Sequence, residues 1–151
     1  MPAESFRVAV LGAGLSGVCM GIKLKAQGIT DFVILEKAAA VGGTWRENTY
    51  PGIACDVPSH VYSYSFELNP DWSHSFSGGA EIWAYCERCV DKYGLRPHLR
   101  FNAEVVDAQF LGGRWHVSTR DGQAIVADVL VSGLGDLHIP NRAAIAGIED
   151  F

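Results

Sequence analysis

Three short, nearly continuous apolar runs stand out along this 151-residue chain: Phe6–Leu11, Asp31–Leu35 and Val129–Val131. None alternates with polar positions, so each reads as a strand buried on both faces, the pattern of a parallel sheet. Between the first two, residues 15–27 read as a helix, with Gly28 as its stop. A second helix is predicted over residues 79–93. There Ile82, Tyr85, Cys86, Cys89, Val90 and Tyr93 recur at spacings of three and four to make one apolar stripe, and Gly94 ends it. The period then shortens to that of strands, at 99–101, 105–111, 114–119 and 123–127. Gly112-Gly113 and Asp121-Gly122 serve as turn pairs, so this part is expected to be an antiparallel meander. Val129–Val131 suits a central strand returning to the first sheet. Residues 37–78 and 139–151 carry no regular pattern. An irregular stretch as long as 37–78 is uncommon in a compact domain unless it is functional.

The turn after the first run reads Gly12-Ala13-Gly14-Leu15-Ser16-Gly17. Gly12 allows a tight exit from the strand, Gly14 lets backbone approach a diphosphate, and Gly17 lets the helix pack closely on the sheet. The helix N-terminus aims its free N–H groups and positive dipole end at the same place. Glu36 closes the second strand 24 residues after Gly12, near the spacing of about 20 at which a carboxylate receives a ribose diol. Strand, glycine turn, helix and acid together point to a Rossmann-like α/β fold, three layers around a central parallel sheet, that binds a dinucleotide. The competing readings are a purely structural glycine turn and a surface charge at Glu36. A carboxylate there repels the 2′-phosphate of NADP, which leaves FAD or NAD, and the fingerprint does not choose between them. Gly133 and Gly135 follow the third apolar run, where ligands gather at the carboxyl ends of strands.

Net charge is −5, with 48% hydrophobic residues. The acidic balance argues against nucleic acid or an anionic membrane surface as partner. No stretch approaches the ~20 apolar residues of a membrane span. Glu4 and the glycines distinguish the apolar start from a signal peptide. A soluble, cytoplasmic protein with one domain is expected, since this length buries about 68–70% of its unfolded surface. Of the four cysteines, Cys19, Cys55, Cys86 and Cys89, the last two have CxxC spacing. No second pair completes a metal set, and both fall on the apolar stripe of the second helix. They therefore read as small core residues rather than a redox or zinc pair. Trp72, Trp83 and Trp115 read as packing residues.

Gly42-Gly43-Thr44-Trp45, followed by the run Tyr50-Pro51-Gly52-Ile53-Ala54-Cys55-Asp56 and on through Ser59, Tyr62 and Tyr64 to Phe66, resembles the FAD-binding part of Baeyer–Villiger monooxygenases. These are class B flavin monooxygenases, related to the N-oxygenating flavin-containing monooxygenases. The resemblance extends over essentially the whole chain. It implies a partial FAD-binding domain over 1–151, comprising the βαβ fingerprint (1–36), a flavin-side loop region (37–78), a helix (79–94), the meander (99–127) and a return strand (128–135). It also implies that Gly12, Gly14, Ser16 and Gly17 hold the FAD pyrophosphate, with Glu36 and Lys37 at the adenosine ribose and the Val105 backbone at adenine. Gly43, Thr44, Trp45 and Tyr62 would meet the flavin side, and Asp56 would sit near the reactive face of the ring as a catalytic residue. Gly133 matches the glycine of the family's Ala-Thr-Gly motif, which reads Val131-Ser132-Gly133 here. On the residues alone, Trp45 suits a core wall better than a flavin contact, and Asp56 also suits a turn cap.

In that family NADPH reduces FAD, O2 adds to give a C4a-peroxyflavin, and one oxygen atom enters a ketone to yield an ester or lactone. The resemblance implies a truncated flavoprotein of the kind that binds two dinucleotides. The NADPH fingerprint is absent from this chain, and a further signature would begin at Phe151. The remaining C-terminal part of the enzyme is then the chain's partner, and the 151 residues alone are expected to bind FAD weakly and to be inactive. The alternatives are an N- or S-oxygenating flavin enzyme and a non-catalytic FAD- or NAD-binding module.

Overall fold

The computed structural model describes residues 3–136, 139 and 141–150. Phe151, the expected start of the further signature, lies outside the described residues. The opening unit is β1 (Glu4–Leu11), α1 (Leu15–Ala26) and β2 (Phe32–Leu35), with β1 and β2 parallel and Val8 opposite Phe32. Val8 to Leu11 and all of β2 are buried, as their unbroken apolar character requires. β1 starts two residues earlier than its apolar run, because Glu4 and Ser5 pair through the main chain, which needs no apolar side chain. Gln27 caps α1 and Gly28 follows in the left-handed region at φ 72°.

Within the irregular stretch lies a single helical turn, α2 (Thr44–Glu47), too short to show a hydrophobic period. α3 (Gly79–Lys92) buries Ile82, Tyr85, Cys86, Cys89 and Val90 along the predicted stripe. The Cys86 and Cys89 thiols are free and lie in the core. Burial pushes the Cys86 thiol up to about 12 and moves Cys89 in the same direction.

Four further strands complete one six-stranded sheet: β3 (Leu99–Arg100), β4 (Val105–Leu111), β5 (Arg114–Thr119) and β6 (Ala124–Ser132), in the order β3-β2-β1-β6-β5-β4. Two expectations are corrected here. The strand at 99–101 is not part of the meander. It pairs parallel with β2 at the opposite edge of the sheet, placed there by the crossover through α3. The meander's last strand and the return strand are one strand, β6. It runs antiparallel to β5 on one side and parallel to β1 on the other. Asp128, which breaks the apolar pattern, stays exposed and accepts a hydrogen bond from Arg114 instead of ending the strand.

Only residues 101–104 join β3 to β4, a reach of at most about 17 Å. Flat, the two edges of six strands would stand about 24 Å apart. The sheet therefore curls, and β4 and β5 come over one face. Their residues Val117, Val105, Ala108 and Trp115 pack with Ala9, Leu11, Val33 and Leu35. α1 and α3 cover the other face against Val8, Val10, Phe32 and Ile34, with Trp72 in the same cluster. Among the described residues, no helix is long and apolar enough to cross a membrane.

Candidate functional site

β1, β2 and β6 end at Leu11, Leu35 and Ser132, and their exits open on one cavity of about 630 Å³. That is within the range of small-molecule sites, at the place where parallel α/β sheets bind ligands. Backbone atoms build its floor. Gly12, at φ 91°, donates its N–H to the Leu35 carbonyl at 2.7 Å, and Gly133 donates to the Leu11 carbonyl at 2.8 Å. A Cβ on Gly17 would stand 1.9 Å from the Gly12 carbonyl oxygen. Gly17 thus lies beneath the turn, where it permits α1 to pack, and does not line the cavity. Gly12, Gly14, Ser16 and Gly133 do line it. The first turn of α1 has Gly14 as N-cap, with no side-chain cap and no acidic residue. Its positive end is therefore left for an anion from outside the helix.

Glu36 lines the cavity but is 5% exposed, and its carboxylate is already engaged. One oxygen accepts from the Ala13 N–H at 2.8 Å, the other from the Ala38 N–H at 2.9 Å, and the Arg46 guanidinium stands 3.6 Å away. The oxygen that accepts from Ala13 has a second acceptor position suited to a hydroxyl. Lys37, Glu104 and Val105 continue this wall. The Glu104 carboxyl is held below the usual carboxylate range, first by its hydrogen bond from Arg120 and also by the charge of Lys37.

The other end of the cavity is formed by Gly43, Thr44, Trp45 and Tyr62. Gly43, at φ 53°, approaches Gly14 so closely that a Cβ on it would lie 3.1 Å from the Gly14 Cα. Trp45 donates its indole N–H to the Tyr62 hydroxyl at 3.0 Å, and the rings meet edge to face at 5.6 Å. Both rings also pack on the core, so Trp45 is part of the core wall and of the cavity lining at once. Burial raises the Tyr62 phenol above its ordinary value, and the charge of Asp56 acts in the same direction. Asp56 itself is exposed and stands outside the cavity wall.

The structure therefore brings together eleven of the thirteen expected site residues, leaving Gly17 below the floor and Asp56 outside. Glu47, Glu104, Leu134 and Asp136 also line the cavity and were not anticipated. Glu104 and Asp136 each adjoin a residue already singled out, Val105 and Gly135, which was the only sequence signal for them. Uncapped N–H groups at a helix end, a carboxylate with spare acceptor capacity and an aromatic wall fit a nucleotide's phosphates, ribose and ring.

Residues 10–89 match the family of NAD(P)-binding Rossmann-like domains. A Baeyer-Villiger monooxygenase of Streptomyces coelicolor is 51% identical over 152 residues, covering 98% of this chain and 29% of that protein. The solved cyclohexanone monooxygenase from Rhodococcus sp. Phi1 bound to NADP+ superposes with a TM-score of 0.90 at 33% identity, covering 99% of this chain and 29% of the other. The structure of OTEMO in complex with FAD and NADP gives a TM-score of 0.86 at 28% identity, covering 99% and 29%. The chain thus spans about 29% of the length of these relatives. With its glycine turn, parallel core strands and cavity at their carboxyl ends, the chain belongs to the family of NAD(P)-binding Rossmann-like domains.

Proposed function

We propose that this chain is the FAD-binding part of an NADPH-dependent monooxygenase that inserts one oxygen atom from O2 into a small-molecule ketone. One observation carries the reading. A single cavity joins an acceptor carboxylate, an uncapped helix N-terminus and a Trp–Tyr wall, the three kinds of partner that adenosine ribose, pyrophosphate and flavin need. Gly12, Gly14 and Ser16 at the start of α1 bind the pyrophosphate, while Gly17 and Gly133 hold the turn against the strands. Glu36 and Lys37 meet the adenosine ribose, and the Val105 backbone meets adenine. Gly43, Thr44, Trp45 and Tyr62 orient the flavin side and exclude water there. Asp56 influences that end by its charge rather than by contact. FAD, when bound, supplies the redox and oxygen chemistry.

NADPH and the ketone would be held by polypeptide outside residues 1–151, across the whole of which this chain forms one partial FAD-binding domain. Exposed Val129, Leu134 and Phe110 provide apolar surface for such polypeptide to cover. A cytoplasmic setting suits four cysteines that are all free. The test uses the native polypeptide that carries this sequence. Titration with FAD is expected to quench flavin fluorescence, and NADPH consumption is then compared with cyclic ketones, thioethers and amines. Ketone-dependent turnover is expected. Absence of flavin binding overturns the cofactor assignment, and preference for amines or thioethers overturns the ketone.

A further inference from the structure

We infer that Arg46 is a positioning residue that holds the Glu36 carboxylate and, through it, clamps the Ala13 peptide of the glycine turn. The ligand that benefits rests on the FAD reading above, whereas the clamp itself rests on geometry alone. Arg46 sits in α2, one residue after Trp45, with its side chain only 12% exposed. Its guanidinium reaches three separate pieces of chain. One nitrogen stands 3.6 Å from Glu36 at the end of β2 and also donates to the Ala40 carbonyl in the following loop. The other donates to Glu47 at 2.7 Å within α2.

Glu36 passes this restraint to the turn. Its carboxylate takes the Ala13 N–H, between Gly12 and Gly14. The Ala13 carbonyl accepts from the Gly42 N–H at 3.0 Å, so the same loop grips that residue from both sides. Gly42 in turn lies against Arg46, since a Cβ placed on it would fall 3.2 Å from the Arg46 Cβ. A buried carboxylate that loses the cation beside it is less well compensated and either turns toward water or shifts among its remaining partners. In either case the charge-assisted bond from the Ala13 N–H weakens, and the turn loosens.

The experiment is hydrogen–deuterium exchange by mass spectrometry on the ligand-free native polypeptide. It follows peptides spanning residues 12–17 and 36–42, with β5 and β6 as internal reference. In Arg46→Met, which keeps bulk but removes charge, exchange in the two site peptides is expected to rise about tenfold while the reference strands keep their rates. Arg46→Lys, which keeps the charge, is expected to recover most of the protection. Unchanged exchange in Arg46→Met overturns the inference. So does a rise that includes β5 and β6, which marks a general stabilising role, and so does failure of lysine to rescue. A parallel FAD titration separates the two readings: if the unaltered protein binds no FAD the functional reading falls, while the exchange result still decides the clamp.

Discussion

The glycine crevice and the aromatic cluster beside α3 both pack on α1, and they do so with different materials. In the crevice the contacts are backbone to backbone: Gly17 on the Gly12 carbonyl, Gly43 on Gly14, Gly133 on Leu11. In the cluster they are side chain to side chain. Tyr64 stacks on Phe66 at 5.2 Å and hydrogen-bonds the Leu15 carbonyl, Lys23 lies 3.8 Å over the Phe66 ring, and Trp72 packs on Tyr85 at 5.4 Å. Tyr85 accepts from the Tyr64 N–H and donates to the Glu67 carbonyl. Backbone contact leaves no volume to adjust, whereas rings and hydroxyls can be exchanged for near neighbours at moderate cost. A surface meant to receive a ligand's phosphates has to be of the first kind, because only main chain without side chains presents N–H groups at close range.

The comparison breaks most sharply at Gly17. Gly17→Ala places a methyl 1.9 Å from a carbonyl oxygen that cannot move without dismantling the turn. A loss of about 4 kcal/mol in urea denaturation is expected, at or beyond the upper end of overpacking effects; a loss below 1 kcal/mol would show that the turn yields. Next comes Tyr85→Phe in the cluster. It removes both hydrogen bonds of the hydroxyl and strands the Tyr64 N–H, for about 2 kcal/mol by the same measurement.

Cys86 sharpens the contrast through pH. Its folded value, about 12, lies above the ordinary thiol value of 9.0. Between those limits the unfolded chain has lost a proton that the folded chain keeps. Stability is thus unaffected below pH 9.0 and falls as pH rises toward 12, by about 1 kcal/mol at pH 10. Denaturation at pH 8 and pH 10 checks this, with Cys86→Ala expected to flatten the slope. The smallest effect is expected at the rim of the crevice. Arg120→Ala breaks an exposed pair with Glu104, and the denaturation midpoint should not move measurably.

Local rules explain why some elements were legible. Val8–Leu11 and Phe32–Leu35 announced buried parallel strands because both faces are covered, and the α3 stripe announced a helix because only one face is. Gly28, Gly94 and the Gly112-Gly113 pair marked chain reversals, and all four adopt positive φ. The errors fell where a neighbour distant in sequence decides. Leu99–Arg100 is a two-residue strand whose pattern could not say which edge it joins. β6 runs on through Asp128, whose partner, Arg114, lies on another strand. At the site, Glu36 was found by its spacing from Gly12, but its bonds to Ala13 and Ala38 and its proximity to Arg46 were invisible, since nothing in a run of 37–47 shows which carbonyl or carboxylate a guanidinium will reach. Asp56, carried over from a family motif, stands outside the wall because motif position says nothing of how a loop turns its side chains.

The order of residues alone thus determined the strand–turn–helix unit, the need for glycine at its turn, and the acid at the end of β2, all consequences of steric and periodic rules acting over a few residues. The tertiary structure alone decided that β6 would serve two neighbours at once, that the sheet would curl to bring Val105 and Glu104 to the crevice, and that one arginine would hold its carboxylate. Those outcomes follow from the short 101–104 linker and from the need to pair buried charge, which are settled only when segments far apart in the chain compete for the same space.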